Sequence, residues 1–505
     1  MQLTLSLMNA VEVCRRQFFL LIIVCYCGSI LCSSLGKSME NFRVYTVTYN
    51  VGTSNPSKDL HDMLSLSPKP DKNSYDLYAV SLQEVKAQPQ NMLLDVFFED
   101  PWTDAVKTLL EARDYVKIKS VRLQGLILSI FCLKKHLINL RQIESEYTRT
   151  GLSGMWGNKG AVAIRLSIYG VSLCFVNAHL SAHDHQLKNR IEDYDNIMTS
   201  QTFHIREQSA ILFHDYVFWM GDLNFRINED VFKTPAEVEA LIKNGELKKL
   251  YENDQLYTCM RKGDAFSQFT EQPPTFPPTF KFEVGSSDYD HKRRPAWCDR
   301  ILYRVSPHNY QNVTLHIEQK SYKSHPSYQL SDHRPVSANF VIKVIYKSEV
   351  DSVRSRGLQV FSHFEETVVK FDRIPFWYTD EENSATFKVT QPLQCCKNDW
   401  IGVFKDKFSS LEDYMMYEYV SKASTPVPEA QGASSAQAPP SFTPNMKQTI
   451  TFPEIKTRSR GLFRLIYFSL DEDNVQSILG VSDPFPLQEK ESSSHDSSSE
   501  SSSSY

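Results

Sequence analysis

A layered α/β domain followed by a small all-β sandwich is the architecture this 505-residue chain predicts. Three observations carry the expectation. Between Phe42 and Tyr346, apolar or alternating stretches read as strands, and several run into polar residues at their ends. Helical spacing lies between them. After Tyr346 the texture changes to short strand-like runs, interrupted by a long Ala, Ser, Pro and Gln stretch.

At the N-terminus, Arg15 and Arg16 precede an apolar run from Phe18 to Cys32. This is the pattern of a signal peptide or a short membrane anchor, and the alternative is an extension with no part in the fold. Residues 1–40 are therefore set apart, and folding starts near Asn41. Strands are expected over Arg43 to Asn50, Asp76 to Glu84, Val171 to His179, Tyr216 to Asp222 and Trp297 to Arg304. Helices are expected over Leu187 to Met198 and Pro235 to Leu250. Together they make a domain over 41–346. In the second domain, 365–486, strands are expected over Val368 to Val389, Asp399 to Lys405, Gln448 to Phe452 and Gly461 to Ser469, with a disordered insert at 421–447. The serine-rich, acidic 487–505 reads as a solvated tail.

Composition is that of a globular protein, with 41% hydrophobic, 12% aromatic and 23% charged residues. A formal charge of −5 gives no global attraction for nucleic acid or an anionic membrane, so any such attraction is local. The ten cysteines form no CxxC pair, which argues against a disulfide framework and a zinc site and points to a reducing compartment.

Two islands, Trp219 to Arg226 and Pro295 to Leu302, set an acidic residue among bulky apolar neighbours. A buried carboxylate needs a cation, a donor or a metal as partner. Asp222 and Asn224, two apart, point to one side of an extended segment, where an aspartate can take a proton from water and an asparagine can hold that water. A third island, Ser331 to Val336, supplies His333, for which Asp299 is the expected orienting partner, and Asp332, which would assist the metal or the water. His179, ending an apolar strand, is a second expected donor to phosphate. Glu84 suits a magnesium ion that keeps waters and borrows phosphate oxygens, with Asn50 supporting the metal shell or the nucleophile. His183 and His185 imitate a metal pair but lack closing ligands, so they read as solvated loop residues.

Glycines 151, 154, 157 and 160 describe a loop whose backbone approaches an anion, with Asn158 and Lys159 inside it. Leu152, Met155 and Trp156 on that loop are candidates to dip into a bilayer. The basic run Lys292-Arg293-Arg294 abuts the second island, and Lys281 lies upstream. Guanidinium groups there would hold substrate phosphates, which points to a substrate with more than one.

On these residues the chain resembles the inositol polyphosphate 5-phosphatases of the magnesium-dependent endonuclease, exonuclease and phosphatase superfamily. Thr48-Tyr49-Asn50, Gln83-Glu84, Gly157 to Gly160, Asn177 to Leu180 and Ser331 to His333 match the family's blocks in order, beside both islands. The resemblance covers roughly residues 41 to 345. Asp399 to Lys405 and Gly480 to Ser482 resemble the SKICH domain that follows some of these phosphatases. The resemblance implies a four-layer α/β sandwich followed by an immunoglobulin-like sandwich. It also implies Mg2+-dependent removal of a 5-phosphate from phosphoinositides at a membrane surface by a cytoplasmic, peripheral monomer, with a protein partner for the SKICH-like domain and no nucleic acid. Glu84 would then bind the metal, and Asp222 and Asn224 would activate and place water. Asp299 would orient His333, and Lys159, Arg190, Lys281 and Arg293 would grip substrate. Phe280 stands where the family usually has a tyrosine. The rival readings are a nuclease with the same metal core and an inactive phosphoinositide-binding adaptor.

Overall fold

The computed structural model describes residues 39–57, 59–67, 75–86, 100–150, 159–307, 314–345, 367–423, 440–455 and 461–489. The apolar N-terminal run, Asn158 with the bilayer-facing candidates beside it, residues 424–439 of the expected insert and the serine-rich tail from 490 lie outside them.

Eleven strands build the first domain: β1 (Met39–Asn50), β2 (Leu77–Gln83), β3 (Tyr115–Leu123), β4 (Leu126–Leu133), β5 (Leu140–Arg149), β6 (Gly160–Ile168), β7 (Val171–His179), β8 (Tyr216–Asp222), β9 (Asp299–Val305), β10 (Ile317–Ser324) and β11 (Val336–Ile345). One sheet runs β10-β11-β1-β2-β4-β3, and the other contains β5-β6-β7-β8-β9. The five strands expected from the sequence all form. β2, β7 and β8 are buried along their whole length, which is why they read as near-continuous apolar runs rather than alternating ones.

The main core, with Val44, Ala79, Ile164, Phe175, Phe218 and Phe340, lies between the sheets. Helix α1 (Pro101–Glu111) covers the outer face of the first sheet through Trp102, Val106 and Leu110. Helix α2 (Leu187–Ser200) covers the second through Tyr194 and Ile197. These are the four expected layers. The expected helix from Pro235 to Leu250 is broken in two, α3 (Pro235–Lys243) and α4 (Leu247–Tyr251), at Gly245, whose φ of 74° ends the first. A last helix, α5 (Gln255–Lys262), is capped by Asp254, whose carboxylate accepts from the Tyr257 N–H.

The second domain is all-β: β12 (Val369–Phe371), β13 (Trp377–Tyr378), β14 (Asn383–Val389), β15 (Leu393–Gln394), β16 (Trp400–Lys405), β17 (Met416–Tyr419), β18 (Ser441–Phe442), β19 (Lys447–Phe452), β20 (Leu462–Leu470), β21 (Gln476–Val481) and β22 (Phe485–Gln488). The single run expected over Val368 to Val389 is three short strands, with Pro375 between the first two. Within the span expected as a disordered insert, Ser441–Phe442 pairs with Leu393–Gln394.

The two domains share a sheet. β21 adds to the free edge of β5 at Gln476 opposite Ile143, giving one sheet of eleven strands. At the other sheet's edge, Lys117 of β3 donates to the Ser409 carbonyl at 2.7 Å and accepts from the Leu411 N–H at 3.0 Å. Phe404, Phe408, Leu411, Ile466, Phe468 and Ile478 join the same apolar cluster as Leu137, Leu140 and Ile143. Among the described residues no helix is long and apolar enough to cross a membrane.

Candidate active site

Strand register brings the polar strand ends together. β7 and β8 run parallel with His179 opposite Asp222, and β8 and β9 run antiparallel with Asp222 opposite Asp299. Directly opposite residues share a face, so an imidazole and two carboxylates stand in one row across three strands. On the facing sheet, parallel β1 and β2 end with Asn50 opposite Gln83. Beneath the site the sheets are tied: Gln83 Nε2 donates to Asn177 Oδ1 at 2.7 Å, and Asn177 Nδ2 donates to the Leu82 and Ile127 carbonyls.

Asp222 is the hub. Its Oδ2 accepts from Asn50 Nδ2 at 2.9 Å and lies 3.2 Å from His179 Nε2 and 3.8 Å from His333 Nε2. Its Oδ1 accepts from the Asn224 N–H at 3.2 Å. His333 Nδ1 donates to Asp299 Oδ2 at 2.9 Å, and that oxygen also accepts from Thr279 Oγ1 at 2.7 Å. The Asp299–His333 pairing expected from the sequence is thus formed.

Burial would lower the His333 imidazole, yet Asp299 and Asp222 outweigh it and push the ring up to about 9. Burial would raise Asp222, but His333, His179 and Lys159 hold its carboxyl well below the usual carboxylate range. Burial and the Lys159 ammonium keep His179 down. A charged imidazolium and an ionised carboxylate therefore sit side by side.

They open onto a cleft of about 160 Å³ whose lining includes Glu84, Lys159, His179, His183, Asp222, Asn224, Arg226, Phe280, Lys281, Arg293, Asp332 and His333. Nine of these twelve are among the site residues expected from the sequence. Lys281 and Asp332 pair across the rim at 3.5 Å. Lys159 contacts His179 Nε2.

Other expected residues stand elsewhere. Asp299 lies beneath the cleft, behind His333, and Asn50 beneath it, where its amide is engaged by Asp222 and the Gly52 N–H. Arg190 is buried and holds the loop ahead of α2, donating to the Ser181, His183 and Asp184 carbonyls and to Gln255 Oε1. Its guanidinium is committed there rather than turned toward substrate. Lys292 is exposed and outside the cleft lining. Its neighbour Arg294 is buried against Asp184 and Glu229.

Three contributors escape a reading of the sequence. Arg226 Nη2 donates to Asn224 Oδ1 at 2.6 Å while its guanidinium lies 4.4 Å from the Phe280 ring centre. With Asn224 Nδ2 also donating to the Leu180 carbonyl, the asparagine amide fixes the loop and aims Arg226 into the cleft. Arg226 belongs to the first island, where its place beside Asn224 was the available signal. Thr279 carries no such signal. His183, read as a solvated loop residue, is exposed but forms part of the cleft wall.

Asp222, Asp299 and His333 bring ligand atoms within 4.8 Å of one another. Those atoms face each other in hydrogen bonds and ion pairs, an arrangement that holds protons. Glu84 differs: its side chain is 38% exposed at the cleft, 3.9 Å from His179 Nε2. An oxygen donor with open space before it fits a hard divalent cation that retains water.

Residues 47–339 match the endonuclease/exonuclease/phosphatase family 2, and residues 369–487 match the SKICH domain. The mouse inositol polyphosphate 5-phosphatase K (Mus musculus) is 32% identical over 460 residues, spanning 88% of this chain and 89% of that protein. The chain belongs to the inositol polyphosphate 5-phosphatase family. Phosphatidylinositol 4,5-bisphosphate 5-phosphatase A of Homo sapiens is 34% identical to this family member over 480 residues, 92% of the chain but only 44% of that relative. The chain thus spans less than half the length of that longer relative. A solved 5-phosphatase domain of SPsynaptojanin, in complex with inositol (1,4)-bisphosphate and calcium ion, is 35% identical with a TM-score of 0.52, covering 61% of this chain and 86% of that one. The SKICH pairing expected from the sequence of this family member holds.

Proposed function

We propose that the chain hydrolyses the 5-phosphate of phosphoinositides such as phosphatidylinositol 4,5-bisphosphate and 3,4,5-trisphosphate, and of soluble inositol polyphosphates, with Mg2+ as cofactor. The observation that supports this most is the meeting of Glu84, Asp222 and His333 in one cleft ringed by Lys159, Lys281 and Arg293. A compact head group with several phosphates suits that ring of cations.

Water attacks phosphorus in line, held by Asp222. A carboxylate so weakly basic takes the proton only as the new O–P bond forms, the bond from phosphorus to the inositol oxygen breaks and the water grows acidic; the inositol oxygen leaves as a hydroxyl with a proton from the solvent in the open cleft. His333, kept charged by Asp299 and Asp222, faces the negative charge that spreads over the equatorial oxygens. Lys159 and Arg226 add to the same field. Glu84 is the residue that would hold Mg2+, which supplies charge neutralisation on the phosphate when bound. Lys281 and Arg293, at the rim, hold the neighbouring phosphates. The protein works at a membrane surface from the cytoplasmic side, as a monomer, with the SKICH domain free to take a protein partner.

Phosphate release from vesicles containing phosphatidylinositol 4,5-bisphosphate, measured with and without Mg2+ beside a DNA nicking assay, tests the reading. Asp222→Ala is expected to abolish release while circular dichroism stays unchanged. Wild-type turnover by that folded variant, or nicking without lipid hydrolysis, overturns it.

A further inference from the structure

A second group of ligating side chains lies far from the cleft, where the two domains meet. Glu144 and Glu146 are two apart on β5, so they share a face beside the point where β21 joins that strand. His204, after α2, comes up to them. Glu144, Glu146 and His204 bring ligand atoms within 4.8 Å of one another. Asp473, in the turn between β20 and β21, lies 3.8 Å from His204 Nε2.

The group has an unmet need. Glu144 is 4% exposed, and only its Oε1 is engaged, accepting from the His204 N–H at 2.9 Å and from Nδ1 at 2.6 Å. Its Oε2 is buried without a hydrogen-bond partner among the described residues, as is Oε1 of Gln201, whose Nε2 donates to the Glu146 carbonyl. The nearest guanidinium, Arg165 on β6, donates to Gln142, Gln208 and His214 instead. Buried oxygen acceptors without donors are what a cation would satisfy.

We propose that Glu144, Glu146 and His204, the last through Nδ1, bind a divalent cation of the zinc class at the seam between the two domains, with Asp473 facing the opposite ring nitrogen and orienting the imidazole. One imidazole with carboxylates is a borderline ligand set, which suits zinc better than the oxygen-only shell that magnesium prefers. Because Asp473 comes from the second domain, a liganded His204 links the β20–β21 turn to the site on β5.

Zinc content after chelator treatment, dialysis against zinc chloride and gel filtration tests this on the full chain. A Glu84→Gln background removes the cleft carboxylate that would otherwise contribute binding. One zinc per chain is expected in that background, lost on adding His204→Ala or Glu146→Gln, and weakened about tenfold by Asp473→Asn. His204→Ala alone should keep phosphate release and circular dichroism unchanged, because His204 is 44% exposed and remote from the cleft. Cobalt(II) absorption bands should follow the same order. Equal zinc in the His204→Ala and Glu146→Gln proteins, or none in the Glu84→Gln background, overturns the proposal.

Discussion

Lys281, upstream of the basic run, and Lys292 and Arg293 within it do not do the same work. Lys281 and Arg293 line the cleft, whereas Lys292 is exposed outside it. Removing a charged partner of a substrate phosphate costs about 1.5–3 kcal/mol, or about 10- to 100-fold in KM. Lys281→Ala and Arg293→Ala are therefore expected to raise KM for the lipid by that factor with a smaller effect on kcat, and Lys292→Ala to leave both unchanged. Steady-state phosphate release on lipid vesicles separates the three. Most of the cleft was legible in the sequence because Asp222, Asn224 and His333 sit in islands that set polar residues in an apolar frame, and Glu84 follows an apolar strand. Lys292 and Arg190 were misplaced for a common reason. Lys292 came from a run of basic residues and Arg190 from the resemblance, and neither says which way the local backbone turns the side chain. Thr279 was illegible because its partner, Asp299, is twenty residues away and is reached only when the loop ahead of β9 folds back.

The elements depend on a few positions that a strand pattern hides. Gly221, next to last in β8, has φ of 144°, and a Cβ there would stand 1.9 Å from the Ala178 carbonyl oxygen on β7. That contact is backbone, so neither strand can yield without moving His179 or Asp222. Gly221→Ala is expected to cost about 3 kcal/mol or more and to abolish phosphate release in whatever fraction stays folded, as thermal melts and activity together would show. At the other end of β2, Asp76 accepts from the Arg43 N–H at 2.9 Å and pairs with His136 Nε2 at 3.0 Å, joining β1, β2 and the turn after β4. Burial would raise this carboxyl, but His136, the Arg43 N–H and Lys135 lower it below its ordinary value. A depressed folded value means stabilisation that is complete above the unfolded value of about 3.9 and is lost as pH falls through the folded one. Asp76→Asn is expected to lower the urea midpoint at neutral pH, by about 1–3 kcal/mol in stability, and to differ little from wild type in acid. An undiminished gap at low pH would contradict the assignment. The strands themselves were readable from apolar runs, whereas the pairing across Asn177 and Gln83 was not, since it joins residues 94 positions apart.

At the scale of the whole molecule, the sequence divides the chain into two domains, and the structure has them folded against each other. β21 pairs with β5 at Gln476 and Ile143, Ser409 and Leu411 bond the Lys117 backbone on the edge of β3, and Lys134 lies over the Phe408 ring at 4.8 Å while donating to the Asp406 carbonyl. Nothing in either stretch of sequence marks it as an interface, because an edge strand and a core strand carry the same apolar residues. Each backbone contact engages one residue of an edge strand, and the apolar cluster shared by the two domains supplies the rest of the interface. The SKICH domain therefore acts as part of the phosphatase fold as well as a module in its own right, and damage on one side should be felt on the other. Phe468, fully buried on β20 and stacked on Trp400, belongs to the apolar cluster that runs into the first domain. Phe468→Ala should cost about 3–5 kcal/mol. Although its Cα lies in the SKICH domain, it is expected to lower the temperature at which phosphate release is lost, together with the temperature of the tryptophan fluorescence transition. Two separately melting units would instead leave the inactivation temperature where it is in the wild type. A chain ending at Ile345 should likewise inactivate at a lower temperature and aggregate on concentration, with the apolar residues Leu137, Leu140 and Ile143 left without their partners from the second domain.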